Sequence, residues 1–165
     1  MTAIPRSHNS ANSLTARVKK LLSLSAYDWD VICYASLLMP VIWACLRVFG
    51  LPRTLAWAAA LRRMGPVSGT HVLTPASLGR LVNIAARYGP MRAACLVRSL
   101  VLIRILSGRG VKGNLKIGVR KGLSSQLDAH AWVEYDGAPV NDCPNVATDF
   151  AVFDTLDTSV VGALL

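Results

Sequence analysis

Apolar positions recur at two periods along this chain, and the change from one to the other divides it. Up to about residue 108 they fall at helical spacing; between 114 and 142 they alternate with polar positions as strands do. Residues 1–13, rich in Ser, Asn and Thr, read as a disordered tail. Leu14, Val18, Leu21 and Leu22 then share one side of a short amphipathic segment, with Arg17, Lys19 and Lys20 left to solvent. Ser25 and Asp28 offer caps to the helix that follows. Residues 31–46 hold no charged side chain. This run is short for a membrane span, is bounded by Asp28, Asp30 and Arg47, and contains Pro40. It predicts a buried or interfacial helix kinked near Pro40, in preference to one that contacts lipid.

Pro52 suits the first turn of a helix over 53–64, with Gly65 as its stop and a loop over 65–74. Thr74 and Pro75 open another helix that runs to about Tyr88, before a Gly89-Pro90 break. The next helix carries Cys95 close to its start, turns Leu96, Leu100, Ile103 and Leu106 inward, and ends at Gly108 and Gly110. Leu115, Ile117 and Val119 then alternate with Lys116, Gly118 and Arg120, a strand pattern. Residues 129–135 and 138–142 predict two more strands around Asp136-Gly137, and the tail from Cys143 shows no clear period. The expected class is α+β, a helical N-terminal half followed by a small antiparallel sheet. Residues 14–74 form its helical region and 75–165 its catalytic region, in one compact unit.

Composition sharpens this picture through charge. The chain of 165 residues is 53% apolar and carries a formal net charge of +9, which excludes a disordered composition. No acidic residue lies between Asp30 and Asp128, and no basic one follows Lys121. Such a surface is either a set of solvated helix faces or a field that steers an acidic peptide or protein partner. Nucleic acid is not the expected partner, because no recognised motif is present and aromatics do not interleave with the basic residues. Cys33, Cys45, Cys95 and Cys143 form no CxxC pair, and residues 1–20 lack the apolar run and cleavage site of a secretory signal. A reducing cytoplasm without disulfides is expected. His8, His71 and His130 sit at no zinc-like spacing from any cysteine, so neither a metal nor another cofactor is expected.

The candidate chemistry lies in Cys95, His130 and Asp142. A thiol attacks an acyl carbon as its thiolate, which an imidazole generates and a carboxylate-held tautomer sustains. Unpaired amides at a helix start favour that thiolate, and the Cys95 amide is a natural oxyanion donor; the sequence names no second one. Each residue also has a plainer reading: Cys95 as a core side chain, His130 as a structural strand residue. Asp128 competes with Asp142 for the imidazole, whereas Asp136 suits a turn. A three-residue loop 135–137 would set His130 and Asp142 directly opposite each other, and a two-residue turn would carry Asp142 to the other face. Trp132, on the His130 face, is a candidate to shield the pair or touch substrate, or else a core aromatic. Asn141 is suited to turn or edge hydrogen bonds.

This Cys–His–Asp order is that of papain-like and transglutaminase-like enzymes. Four blocks narrow it further: Cys95-Leu96-Val97-Arg98-Ser99-Leu100, Leu115-Lys116-Ile117-Gly118-Val119, Ala129-His130-Ala131-Trp132-Val133-Glu134 and Val140-Asn141-Asp142. Over about residues 75–145 they resemble the transglutaminase-like peptidases of lasso-peptide biosynthesis. The resemblance implies a cysteine peptidase that cuts leader from core in a ribosomally made precursor, with Cys95 as nucleophile, His130 as base and Asp142 as orienter. It implies three partners: the precursor peptide, a separate leader-recognition protein and an asparagine-synthetase-like macrolactam cyclase. Two other readings are open to the same residues, a Cys-dependent acyltransferase and a catalytically silent scaffold that recruits partners.

Overall fold

Ser25 and Asp28 start the first helix by capping each other. The Asp28 amide donates to Ser25 Oγ at 3.2 Å, and the Ser25 amide donates to Asp28 Oδ2 at 3.0 Å. In the computed structural model, which describes residues 24–60, 73–91, 93–121 and 127–156, this helix α1 spans Ala26–Ala60. The expected tail, the amphipathic segment over 14–22, the Gly65 stop and most of the 65–74 loop lie outside the described residues. One face of α1 is buried through Val31, Ala35, Met39 and Ile42, while Trp29, Leu37, Val41 and Val48 on the other are exposed. Its length and composition would let it cross a bilayer, but a third of its most apolar stretch (33%) is buried against the rest of the protein.

The break in α1 is at Gly50, not near Pro40. Gly50 alone within the helix has non-helical dihedrals (φ 75°, ψ 177°), a region essentially reserved for glycine. Pro52 follows in the next turn, and Thr54 Oγ1 donates to the freed Gly50 carbonyl at 2.7 Å. Helix α2 (Pro75–Tyr88) starts as its sequence predicts, with Thr74 Oγ1 accepting from the Ser77 amide at 3.3 Å. Helix α3 (Cys95–Gly108) is the centre of the fold and packs against both α1 and α2 as well as the sheet. Leu100, Ile103 and Leu106 are fully buried there, and Leu96 is partly so. A fully buried helix of this kind needs no polar face.

The sheet consists of β1 (Asn114–Lys121), β2 (Leu127–Tyr135), β3 (Ala138–Pro139) and β4 (Ala151–Leu156), in the spatial order β3-β2-β1-β4. β1 and β2 are antiparallel, with Leu115 opposite Val133 and Gly118 opposite His130. Leu115, Ala131 and Val133 belong to the buried core shared with α3. Two features depart from the sequence expectation. The third strand stops at Pro139, which has no amide to donate to a ladder. The tail forms a short helix α4 (Val146–Asp149) and a fourth strand, β4, which pairs with β1 across an irregularity at Ile117/Gly118.

Candidate active site

His130 directly precedes β2's buried stretch of Ala131, Trp132 and Val133, and its ring leaves the sheet on the side opposite Ala131. Its Nε2 lies 2.7 Å from Asp142 Oδ2, with the two side chains 22% and 19% exposed. The second Asp142 oxygen, Oδ1, accepts from the Cys143 amide at 2.9 Å. Both carboxylate oxygens are therefore fixed, and so is the imidazole. The route to this pairing differs from the expected one. Asp136 (φ 52°) and Gly137 (φ 74°) form a two-residue turn, and the register is Glu134 to Pro139 and Tyr135 to Ala138. Extended along the ladder, that register would aim Asp142 away from His130. The chain instead leaves the ladder after Val140, whose amide still donates to the Val133 carbonyl at 2.9 Å.

A buried side chain makes that departure possible. Asn141, 2% exposed, takes the place of a ladder carbonyl: its Oδ1 accepts from the Val133 amide at 2.8 Å. Its Nδ2 donates to Ser99 Oγ at 3.1 Å, and Ser99 Oγ donates to the Ala131 carbonyl at 3.0 Å. On the other side, Asn83 Nδ2 donates to the Asn141 carbonyl at 2.8 Å, and Arg98 Nη1 donates to Asn83 Oδ1 at 3.3 Å. The residue before Asp142 is thus tied to α2, α3 and β2 at once, a network satisfied at every Asn141 group it uses. Gly79 lets α2 come this close, because a Cβ built there would lie 1.8 Å from the Val140 carbonyl oxygen.

Aromatic rings hold the imidazole from behind. Phe150 stacks on His130 at 5.1 Å between centroids and Trp132 at 6.3 Å. Trp132 is fully buried, with its indole N–H donated to Glu134 Oε1 at 3.0 Å, so it packs beneath the ring and does not face a substrate. Gly118 makes room for both, since a Cβ there would sit 2.8 Å from Phe150 Cβ and 3.0 Å from the Trp132 ring. Asp128 is instead engaged by Arg120 at 3.4 Å on the exposed end of the strands, and Asp136 belongs to the turn.

Cys95 is the first residue of α3, partly buried and packed against the core. The helix has Ala94 at its cap, with no side-chain acceptor, and its first backbone bond is from the Arg98 amide to the Ala94 carbonyl at 3.1 Å. The amides of residues 95–97 are therefore left for other acceptors. Cys95 stands one helical turn before Ser99, which reaches the backbone next to His130. A cleft of about 640 Å³ opens beside the pair, lined by His130, Asp142, Asn141, Cys143 and, from α2 and α3, Arg80, Asn83, Arg87, Tyr88 and Arg98. Cys95 is not part of this lining, and among the described residues no hydrogen bond joins its sulfur to His130. No group of three metal-ligating side chains occurs among the described residues. The sequence had singled out His130 and Asp142, but not Ser99, Asn83, Phe150 or the two close-packed glycines.

The order of a helix-borne thiol, a strand-borne imidazole and a carboxylate on the next segment agrees with what comparison finds. The family model described as "Transglutaminase-like superfamily" matches residues 36–155, most of the chain. The chain belongs to the transglutaminase-like superfamily. It is also 38% identical over 61 residues to the microcin J25-processing protein McjB of Escherichia coli. The aligned stretch is 37% of this chain and spans only 28% of that relative. No solved structure matches at a significant level. The α+β architecture, with helices ahead of a small antiparallel sheet, is the transglutaminase-like fold expected of the four sequence blocks.

Proposed function

We propose that this transglutaminase-like protein is a cytoplasmic cysteine peptidase that removes the leader from a lasso-peptide precursor. The observation that carries the reading is the 2.7 Å bond between His130 Nε2 and Asp142 Oδ2 on the same chain that opens a helix with Cys95. With Nε2 held, Nδ1 is the nitrogen left to exchange a proton with a thiol. His130 takes the Cys95 proton as the sulfur attacks the scissile carbonyl, and the amides at the start of α3 receive the developing oxyanion. Collapse of the tetrahedral intermediate breaks the C–N bond. The imidazolium hands its proton to the departing amine, which becomes the N-terminus of the core peptide. Water, deprotonated by His130, then cleaves the thioester and returns the thiol. The triad requires Cys95 to meet Nδ1 when substrate is bound, in keeping with the looser geometry of nucleophile and base in unliganded sites.

The likeness to a microcin-processing protein supports a ribosomally made precursor as substrate. The other partners in this reading are a separate leader-recognition protein and an asparagine-synthetase-like cyclase that consumes the freed amine. The test is incubation of the full chain with a leader–core precursor and the leader-recognition protein, read by mass. Two fragments whose masses sum to the precursor plus one water are expected, and none from the Cys95→Ala protein. Cleavage that survives Cys95→Ala overturns the assignment. A product carrying an added amine instead of water would make the enzyme an acyltransferase.

A further inference from the structure

We infer that the cleft beside His130 and Asp142 contains a carboxylate subsite formed by Arg80, Arg87 and Arg98, so that the preferred substrate carries Asp or Glu close to its scissile bond. The inference rests on the peptidase reading and adds a specificity to it. All three arginines line the same cleft as the His130–Asp142 pair. Arg80 and Arg87 are exposed and two turns apart on α2, which puts them on one face. Among the described residues Asp142 is the one carboxylate in the lining, and both its oxygens are taken, by His130 and by the Cys143 amide. No other acid is near in sequence, since α2 and α3 lie wholly within the acid-free stretch between Asp30 and Asp128. The cleft is therefore a local excess of positive charge beside the reacting groups.

Arg98 adds an observation of a different kind. Its Nη1 is anchored to Asn83 Oδ1, yet its Nε is buried with no hydrogen-bond partner. A buried donor without an acceptor costs about 1–3 kcal/mol, and more when charged. A carboxylate that reached it would recover that cost, and the planar fork of arginine matches the two oxygens of a carboxylate. Arg98 lies one turn along α3 from Cys95, so the bound side chain would belong to a residue near the bond being cut. The apolar neighbours Ile84, Tyr88 and Val140 suit the flanking peptide, which favours a peptide carboxylate over a free anion.

The experiment uses the full chain and tetrapeptide acyloxymethyl ketones in which Glu or Gln occupies each position in turn. The rate of Cys95 alkylation is read by mass after digestion. At one position Glu should accelerate alkylation at least tenfold over Gln. The preference, taken as the ratio of Glu to Gln rates within each protein, should shrink with added salt and vanish in the Arg80→Gln/Arg87→Gln double variant. Equal rates for Glu and Gln at every position, with Cys95 still alkylated faster by the peptides than by iodoacetamide, would sink the arginine subsite and leave the peptidase standing. Cys95 that ignores every peptide reagent overturns the peptidase reading and this one with it. If excess inorganic phosphate blocks the Glu and Gln reagents alike, the arginines serve a phosphate and the inference fails.

Discussion

Gly79 of α2 and Val140 of the segment that delivers Asp142 are packed backbone to backbone, so that a methyl group on Gly79 would overlap the Val140 carbonyl oxygen at 1.8 Å. Glycine inside a helix costs roughly 0.5–1 kcal/mol relative to alanine, so its presence here has a positional reason. Gly79→Ala must push α2 from the loop, and overpacking of this sort typically costs about 1–3 kcal/mol. The displaced loop is the one that aims Asp142. We expect a lower melting temperature and a fall in kcat larger than the loss of folded protein explains, measured by thermal unfolding alongside leader cleavage.

Asn141 is the residue on which the unusual course of that loop depends. Asn141→Ala would strand the Val133 amide in a buried site and take from Ser99 Oγ the donor it accepts from, leaving only its bond to the Ala131 carbonyl. Each unsatisfied buried group costs about 1–3 kcal/mol. Asn141→Asp keeps an acceptor for Val133 but loses the donor to Ser99, and adds a buried charge. Both variants should be markedly less stable in urea unfolding, and a stability within error of the parent would show that the network carries no load.

Asp142 separates two kinds of orienting residue. Acid–base assistance of this type contributes on the order of 10²–10⁴ in rate, and Asp142→Ala should lose at least the lower end of that range in kcat. Thiol enzymes also operate with asparagine in the third position, because an amide oxygen can accept from Nε2–H as a carboxylate does. Asp142→Asn should therefore retain far more activity than Asp142→Ala. Equal loss in the two variants would mean that charge, and not orientation, is what Asp142 supplies.

How much of this was legible in the sequence depends on how local each determinant is. Ser25 with Asp28, and Thr74 with Pro75, announce helix starts because a cap acts within three residues. Leu115 to Arg120 alternates because one strand face meets α3. The pairing of His130 with Asp142 was also foreseen, but from the wrong register. Asp136-Gly137 is itself the signature of a two-residue turn with positive φ at both positions, against the three-residue loop expected, and the compensating side chain, Asn141, draws its meaning from Ser99, distant in sequence. β4 escaped notice for the same reason: its partner is β1, and its own run shows no alternation. The break expected at Pro40 occurs at Gly50, where positive φ ends the helical path outright, whereas Pro40 keeps helical dihedrals despite its lost amide and the crowding of its ring.

Phe150 tests whether the stacked rings behind His130 matter to chemistry. Its ring centroid is 5.1 Å from that of the imidazole, and the Arg120 guanidinium lies over the same ring at 4.6 Å from its centroid. Phe150→Ala frees the imidazole to rotate about its bond to Asp142, so kcat should fall severalfold while KM changes little. Phe150→Leu, which keeps bulk, should recover most of the loss. A change confined to KM would assign Phe150 to substrate contact.

Two thiols compete for the role of nucleophile, and the geometry sets them apart. Cys143 is exposed and lines the cleft with His130, whereas Cys95 opens α3 and lies outside that lining. Accessibility alone would favour Cys143. Its amide, however, is spent on Asp142 Oδ1, and it has no helix start behind it to receive an oxyanion. Cys95 opens a helix whose first three amides have no acceptor among the described residues, the feature that acyl-transfer chemistry needs and a merely exposed thiol lacks. Cys143→Ser should therefore cleave precursor at close to the parent rate, while Cys95→Ala should leave no cleavage. With iodoacetamide, Cys33 and Cys143 should react because they are exposed. The discriminating result is His130→Ala, which should slow the alkylation of Cys95 and leave that of Cys33 as it was. If His130→Ala slows Cys143 instead, the nucleophile is at 143 and the start of α3 has only a structural part.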